Sequence, residues 1–418
     1  MNLKKIEAIP AWVYISLLML ISAVLVFYKF SSIPQNLAFD EVDSTQLATY
    51  LGTHPFTLYS PLATGHATPY YYLILASFKL FDTTVFALRL PAALFGIINI
   101  AVFFLIIKLI FKTNYIAFIF ALLLITTRWY LNFSRFSFEA TFLLTLELFS
   151  IYFMFENSKH SNRIYAVISA VFAGLAFYSY LPGRIFFLVP LSYIFFMRRK
   201  TFAMYVVVLT IIIAPLVIYF TRHPDVRMSQ VSVLTNNRIN SLGKVSIVGQ
   251  NTLKSAQMLF TKGDMNGRHN YPGKPALNIV MSLFFISGLI RIFYIKRDRY
   301  SLLFLFYIAI AIIPTLLTPL SDNPNMLRTF TALPGIIYFI GNGVIMLSQI
   351  KITGFQKPVF ICIACLVLFS ILYDMRTYFV FQSRVFRNAF EVNCPLEKLS
   401  KWSYTYVPKT CRVQQNEF

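Results

Sequence analysis

Along this chain apolar positions come in long runs, and the polar ones gather in short clusters of Lys, Arg, Pro and Asn between them. A hydrocarbon core takes roughly 20 apolar residues per helix. Runs of that order lie at Ala11–Phe30, Phe86–Ile110, Tyr115–Leu131, Thr141–Phe155, Ile164–Leu181, Ile185–Phe196, Phe202–Phe220, Leu277–Ile295, Leu302–Leu317, Phe330–Leu347 and Val359–Tyr373. The pattern predicts an all-α integral membrane protein of about 11 transmembrane helices. The first run is too long for a signal peptide and no small-residue cleavage site follows it, so it reads as a retained anchor.

The connections give an orientation. Lys4/Lys5, Lys108/Lys112, Lys159/Arg163, Arg198/Arg199/Lys200, Lys296/Arg297/Arg299 and Lys351/Lys357 fall on one side, which the positive-inside rule makes cytoplasmic. The N-terminus is then inside. The outer face receives Ser31–Val85, Asn132–Glu139, Pro182–Arg184, Thr221–Ala276, Thr318–Thr329 and the C-terminal tail. Because the inner connections are short and the outer ones long, function should face outward. Within the first outer loop, Pro69–Phe81 (PYYYLILASFKLF) is too short to cross and rich in Tyr, which suits a helix lying along the interface. The expected organisation is a transmembrane catalytic unit over residues 1–375, with outer loops 31–85 and 221–276, followed by a short outer tail at 376–418.

Composition agrees with this picture. Hydrophobic residues make up 57% of the 418, charged residues only 13%, and the mean hydropathy is +0.65. A net charge of +21 would fit nucleic acid in a soluble chain, but here the basic residues sit between apolar spans. Topology and anionic lipid account for them, and no nucleic-acid partner is expected. Cys394 and Cys411 fall in the outer tail, where an oxidising compartment would permit a bridge. Cys362 and Cys365 form a CxxC inside an apolar span and read as small packing residues.

Candidate chemistry lies in the charges that are costly near lipid. Asp40-Glu41 follows the first span in FDEVDST; either Asp40 or Asp43 would also serve as an ordinary helix cap there. Arg135 and Glu139 stand at i,i+4 in NFSRFSFE, where the plain reading is a local ion pair. Glu147 lies deeper in the next span and must face the bundle interior. The middle outer loop carries eight Lys/Arg against two Asp between Thr221 and Pro275 and ends in GDMNGRHNYPGKPALN. There Arg268, His269 and Lys274 sit on a turn-rich backbone, as a clamp for phosphate would. Arg328 adds a cation at a helix mouth in SDNPNMLRTFTALPG, where snorkelling is the plain reading.

Taken in order, FDE, GHATPYYYLILASFKLF, FALRLPAALFG, NFSRFSFEAT, FYSYLPGR, GDMNGRHNYPGKPALN and NMLRTFTALPG resemble the bacterial branch of the dolichyl-phosphate-mannose protein mannosyltransferase family. Those are membrane glycosyltransferases of the GT-C fold, related to the lipid A aminoarabinose transferase. The resemblance implies transfer of a sugar from a polyprenyl-phosphate donor to a hydroxyl of a protein, lipid or glycan, with inversion. It makes Asp40 the base, with Glu41 assisting or binding the acceptor and Glu139 the second acidic site. Arg135, Arg268, His269, Lys274 and Arg328 become candidates for the donor phosphate, and His66, Tyr71 and Arg184 for the substrate pocket. The aminoarabinose enzymes carry a lysine before a Pro-Pro in the first loop; here the stretch is His66-Ala-Thr-Pro69. No cofactor is expected. A divalent ion shared by Asp40, Glu41 and Glu139 is conceivable on ligand chemistry but not favoured. The rival classes are a lipid-linked oligosaccharide flippase or polymerase, which would not need a carboxylate pair at the first helix end, and an ion- or proton-coupled transporter, which should show paired ionisable residues or broken helices near the bilayer midplane, where Glu147 is the one acid read mid-span.

Overall fold

The computed structural model describes residues 9–295, 298–350, 356–400, 407 and 409–412. Lys4, Lys5, Lys296, Arg297 and Lys351 of the orientation argument lie outside these. The described chain is a helical bundle. Helix α1 (Ala11–Phe27) is followed by α2 (Phe39–Leu51), a two-strand hairpin of β1 (Tyr59–Ser60) and β2 (His66–Ala67), and α3 (Pro69–Phe81). In the antiparallel hairpin Tyr59 faces Ala67 and Ser60 faces His66. Then come α4 (Val85–Phe111), α5 (Asn114–Thr126), α6 (Arg128–Phe133), α7 (Ala140–His160), α8 (Arg163–Ala176), α9 (Gly183–Phe186), α10 (Leu188–Met197) and α11 (Arg199–Arg222). The remainder is α12 (Val226–Val231), α13 (Ser241–Phe260), α14 (Ile279–Ile290), α15 (Arg299–Leu316), α16 (Leu333–Ser348), α17 (Gln356–Arg376), α18 (Ser383–Ala389) and α19 (Leu396–Leu399).

Five helices are long and apolar enough to cross a membrane by length and composition: Val85–Phe111, Arg199–Arg222, Arg299–Leu316, Phe330–Ser348 and Gln356–Phe386. Shorter apolar helices lie at Ala11–Phe27, Asn114–Thr126, Arg163–Ala176, Gly183–Met197 and Ile279–Tyr294. Their outward faces are those of a membrane protein. On α11 Val207, Ile211 and Ile218 are exposed, and on α17 Phe360, Ile361, Leu368 and Phe369. Water would penalise such stripes, whereas lipid tails accept them. Inside the bundle, α14 and α16 approach at backbone distance. A Cβ on Gly288 would run into the Phe339 carbonyl, and one on Gly343 into the Phe284 carbonyl. Small residues permit that contact, and it supplies dispersion where no hydrophobic effect drives helices together.

Several sequence expectations change. The run Tyr115–Leu131 is not one helix. Thr127 adopts an extended conformation (φ −69°, ψ 135°), and its hydroxyl accepts from Tyr130 N to start α6. The break turns Arg128 inward, where it meets Asn270, the Pro275 carbonyl and Asp374. The loop expected at 221–276 contains α12 and the 20-residue α13. Neither Asp40 nor Asp43 caps α2, since both lie within the helix and Ala38 holds the cap position. Cys362 and Cys365 are exposed on α17 rather than packed inside. The line drawn after residue 375 falls in a continuous helical stretch, where a π-helical turn at Thr377–Gln382 joins α17 to α18. Past it, Val392 bridges Leu37 and Arg412, and Cys394 is disulfide-bonded to Cys411. The tail thus packs on the start of α2. Pro69–Phe81, by contrast, is a helix over the residues expected, with Pro at its first position.

Candidate active site

Helix α2 divides its acids by geometry. Residues three apart share a face, while adjacent ones point about 100° apart. Glu41 is fully buried: Arg89 Nε reaches its Oε1 at 2.7 Å and Nη2 its Oε2 at 2.9 Å, while Ser137 N and Ala38 N donate at 3.1 and 3.2 Å. Arg89 spends its remaining donors on the carbonyls of Pro34 and Asn36, both at 2.8 Å. This fork locks the segment entering α2 against the start of α4 and leaves Glu41 no free lone pair toward a substrate.

Asp40 points the other way, into a cavity of about 440 Å³ whose lining also includes Phe138, Tyr180, Arg227, Arg268, His269 and Arg328. It is 33% exposed and its Oδ2 accepts from Arg268 Nη1 at 2.7 Å. The loop carrying Arg268 is organised by Asp264, whose Oδ2 accepts from His269 Nδ1 and Met326 N, both at 2.8 Å, and whose Oδ1 accepts from Asn266 N at 2.8 Å. Arg328 donates Nη2 to Asp322 at 2.9 Å, and its buried Nη1 has no partner among the described residues. Three guanidiniums, those of Arg227, Arg268 and Arg328, therefore line one cavity with Asp40 at its edge.

A second cluster adjoins the first. Glu139 sits at the N-terminal boundary of α7, where its Oε1 lies 3.4 Å from His66 Nδ1 and its buried Oε2 has no partner among the described residues. The Tyr71 hydroxyl is 2.8 Å from the same His66 nitrogen. Arg184 pairs with Asp225, which also accepts from the Tyr59 hydroxyl at 3.2 Å. Arg227 links the clusters: it lines the cavity, donates to Thr64 and stacks 6.0 Å from the Tyr180 ring. Burial pulls its guanidinium pKa down, but Tyr180, Glu139, Tyr71 and Asp40 outweigh burial and raise it. Asp43 is pushed up to about 6 by burial and by Asp40, against the opposing pull of His66, Arg227 and Arg268.

Of the residues named from sequence, the structure brings Asp40, Arg268, His269 and Arg328 to one cavity, and Glu139, His66, Tyr71 and Arg184 to its neighbour. Three stand apart. Glu41 is held by Arg89. Arg135 does not pair with Glu139: it is buried, and its Nη1 and Nη2 donate to the carbonyls of Leu25, Val26, Tyr28, Lys29 and Ile33. A cation at those free carbonyls closes the C-terminal end of α1, and Arg135 is not among the residues lining the Asp40 cavity. Lys274 stacks 4.6 Å from the Tyr373 ring, outside the cavity lining. Glu147 accepts from the Tyr307 hydroxyl at 2.6 Å inside the bundle. Arg227 and Asp264 were not singled out from sequence, and Asp43 was read only as a possible helix cap. Their available signals were the i,i+3 spacing of Asp43 from Asp40, and an Asx turn at Asp264 in GDMN. Arg227 had none, being one of eight cations in its loop. Because Arg89 engages Glu41, the set Asp40, Glu41 and Glu139 is not assembled around a common point, and the described residues contain no group of three metal-ligating side chains.

The dolichyl-phosphate-mannose-protein mannosyltransferase family model matches residues 66–220, so the relationship read from the motifs is found independently over that stretch. No curated protein matches. Among solved structures, ArnT from Cupriavidus metallidurans bound to undecaprenyl phosphate is 14% identical, with 93% of this chain and 77% of that one covered at a TM-score of 0.56. The Archaeoglobus fulgidus oligosaccharyltransferase in its apo form is also 14% identical, covering 89% of this chain and 56% of that one at a TM-score of 0.59. AglB from the same organism, in complex with an inhibitory peptide and a dolichol-phosphate, gives 14%, 91%, 56% and 0.54. The chain thus spans just over half the length of the archaeal enzymes. What it shares with all three is the GT-C fold.

Proposed function

We propose, from that shared fold as premise, that this membrane protein is a glycosyltransferase. It moves a sugar from a polyprenyl-phosphate-linked donor to an acceptor hydroxyl at the outer face of the membrane. The observation that carries the reading is Asp40, a half-exposed carboxylate at the edge of a cavity lined by three guanidiniums. The relatives solved with undecaprenyl phosphate and dolichol-phosphate support the donor class. The basic connections at the opposite helix ends support the outward orientation, and eleven crossings would account for all the apolar helices together with α7.

In the proposed reaction the acceptor oxygen attacks the anomeric carbon from the face opposite the phosphate, and the bond from that carbon to the phosphate oxygen breaks. Polyprenyl phosphate leaves with the bonding pair, and the configuration inverts. Asp40 takes the acceptor proton as the new bond forms. Arg227, Arg268 and Arg328 hold the phosphate as its charge grows, in fixed positions that need no reorganisation. The Arg268–Asp40 pair suits this division, because an arriving phosphate competes for Arg268 and frees Asp40 for the acceptor. Glu139, His66 and Tyr71 offer hydrogen bonds to sugar hydroxyls beside the anomeric centre, and Tyr180 and Phe138 offer ring faces. Glu41 keeps α2 in place through Arg89. No metal is required in this scheme.

The test uses purified protein in lipid with radiolabelled polyprenyl-phosphate sugars, comparing wild type with Asp40→Asn. Release of polyprenyl phosphate and transfer of label to membrane extract by the wild type, both lost in the variant, is the expected result. If no donor is consumed, or the variant matches wild type, the assignment fails and a flippase takes its place.

A further inference from the structure

Helices α4 and α7 lead away from the candidate site to the other end of the bundle. At 1.5 Å per residue, α7 carries the chain roughly 30 Å from Glu139, about the thickness of a hydrocarbon core. At that end lies a second cavity, of about 540 Å³. Its cations come from three helices: Lys108 and Lys112 at the end of α4, Lys159 near the end of α7, and Arg299 at the start of α15. The one acid in its lining is Glu156, whose Oε2 is already 3.2 Å from His160 Nε2. No lysine of the three has a carboxylate partner among the described residues, and Arg299 donates only to the neighbouring Tyr300 hydroxyl at 3.0 Å.

Lysines at helix C-termini are favoured by the helix dipole, and basic connections by topology. Neither cause requires that four cations from three helices converge on one recess. Gathered there with Glu156 as the one acid in the lining, the four cations exceed their counter-charge and repel one another, and a shared anion would relieve the repulsion. Leu105, Leu109 and Phe155 form the apolar part of the wall, so the recess suits a group with a charged end and a greasy one. We infer that this cavity binds the phosphate group of an anionic ligand at the end of the bundle opposite Asp40. Its form supports a membrane phospholipid headgroup, and a soluble phosphate is the other source of the same chemistry. The inference does not depend on the reaction proposed for the Asp40 cavity.

The test takes the full chain in neutral detergent and offers phosphatidylglycerol, phosphatidylcholine or inorganic phosphate. Retained lipid is read by native mass spectrometry and the unfolding midpoint by melting. Wild type should retain phosphatidylglycerol over phosphatidylcholine, and Lys108→Gln/Lys112→Gln should weaken retention roughly tenfold, while the exposed Lys262→Gln leaves it unchanged. If the double variant does not fold, Arg299→Gln carries the same expectation, and Lys108→Arg/Lys112→Arg must keep binding. Competition by inorganic phosphate, with a raised midpoint in wild type only, supports a soluble ligand; no effect of phosphate beside selective lipid retention supports the headgroup. Equal retention of both lipids by wild type, or retention of phosphatidylglycerol unchanged in the Gln variants, overturns the site.

Discussion

The two faces of helix α2 carry neighbouring acids with opposite fates. On the buried face Glu41 meets Arg89 in a closed fork in which both side chains are 0% exposed. On the cavity face Asp40 meets Arg268 through a single bond, with 33% and 27% of the two side chains exposed. A desolvated, fully satisfied pair is expensive to open and therefore suits architecture. A half-wet pair beside unsatisfied donors costs little to separate and suits exchange with a substrate. The contrast ties one acid into the architecture and leaves the other open to the cavity, although nothing in the dipeptide itself distinguishes them.

The largest expected effect is on the cavity face. Asp40→Asn should lower donor turnover by roughly 10²–10⁴, the range for a lost general base, while the melting midpoint stays near wild type. Glu41→Gln should do the reverse. Leaving Arg89 buried without its counter-charge costs about 3–5 kcal/mol of stability, so yield and melting temperature should fall while the surviving folded fraction turns over donor normally. A Glu41→Gln variant that is stable but inactive would collapse the distinction between the faces.

The same buried face is braced by the tail, since Phe390 lies 5.9 Å from the Arg89 guanidinium and the Cys394–Cys411 bridge closes the segment pairing with Leu37. Cys394→Ser should therefore cost about 3 kcal/mol, as expected for a closed loop of this length. The destabilisation should not add simply to that of Glu41→Gln, which a double-mutant cycle measures. On the cavity side, Arg268→Ala removes a charged hydrogen bond worth about 1.5–3 kcal/mol. It should reduce kcat/KM by roughly ten- to a hundredfold without loss of fold.

The smallest effect concerns Asp43. Folded, it keeps its proton up to about pH 6 against an ordinary value of 3.8. Between those values the folded chain binds more protons than the unfolded one, so this group's contribution to stability falls as pH rises through the window. Asp43→Asn should flatten the melting temperature between pH 4 and pH 6 and remove an inflection near 6 from the pH profile of donor turnover. A profile unchanged by the substitution would detach Asp43 from the groups that shift it, Asp40, His66, Arg227 and Arg268.

Much of the fold was legible because its signals are local. A run such as Val85–Phe111 declares itself by summed apolarity, and Pro69 at the first position of α3 marks a start that needs no partner. The break at Thr127 was not legible, since its apolar surroundings continue across it and the turn is justified only by what Arg128 reaches in the distant loop. Half of the site was read for a similar reason. Asp40, Glu139, Arg268 and Arg328 stand in short motifs, whereas Arg227 is one cation among eight until the fold carries it to Tyr180 and Thr64.

By itself the sequence determined that the chain lives in a membrane, where its apolar helices lie, and which few polar segments stand between them. Those properties are sums over neighbouring residues, and no other part of the chain can cancel them. Only the tertiary structure decided which charges are spent. Glu41 is neutralised by an arginine 48 positions away, Arg135 by carbonyls more than 100 positions back, and Asp40 is met by Arg268 across 228 positions. Whether an ionised group near lipid is architecture or reactant depends on the charge that faces it and on how much water remains between them. Contacts at that range are fixed by packing.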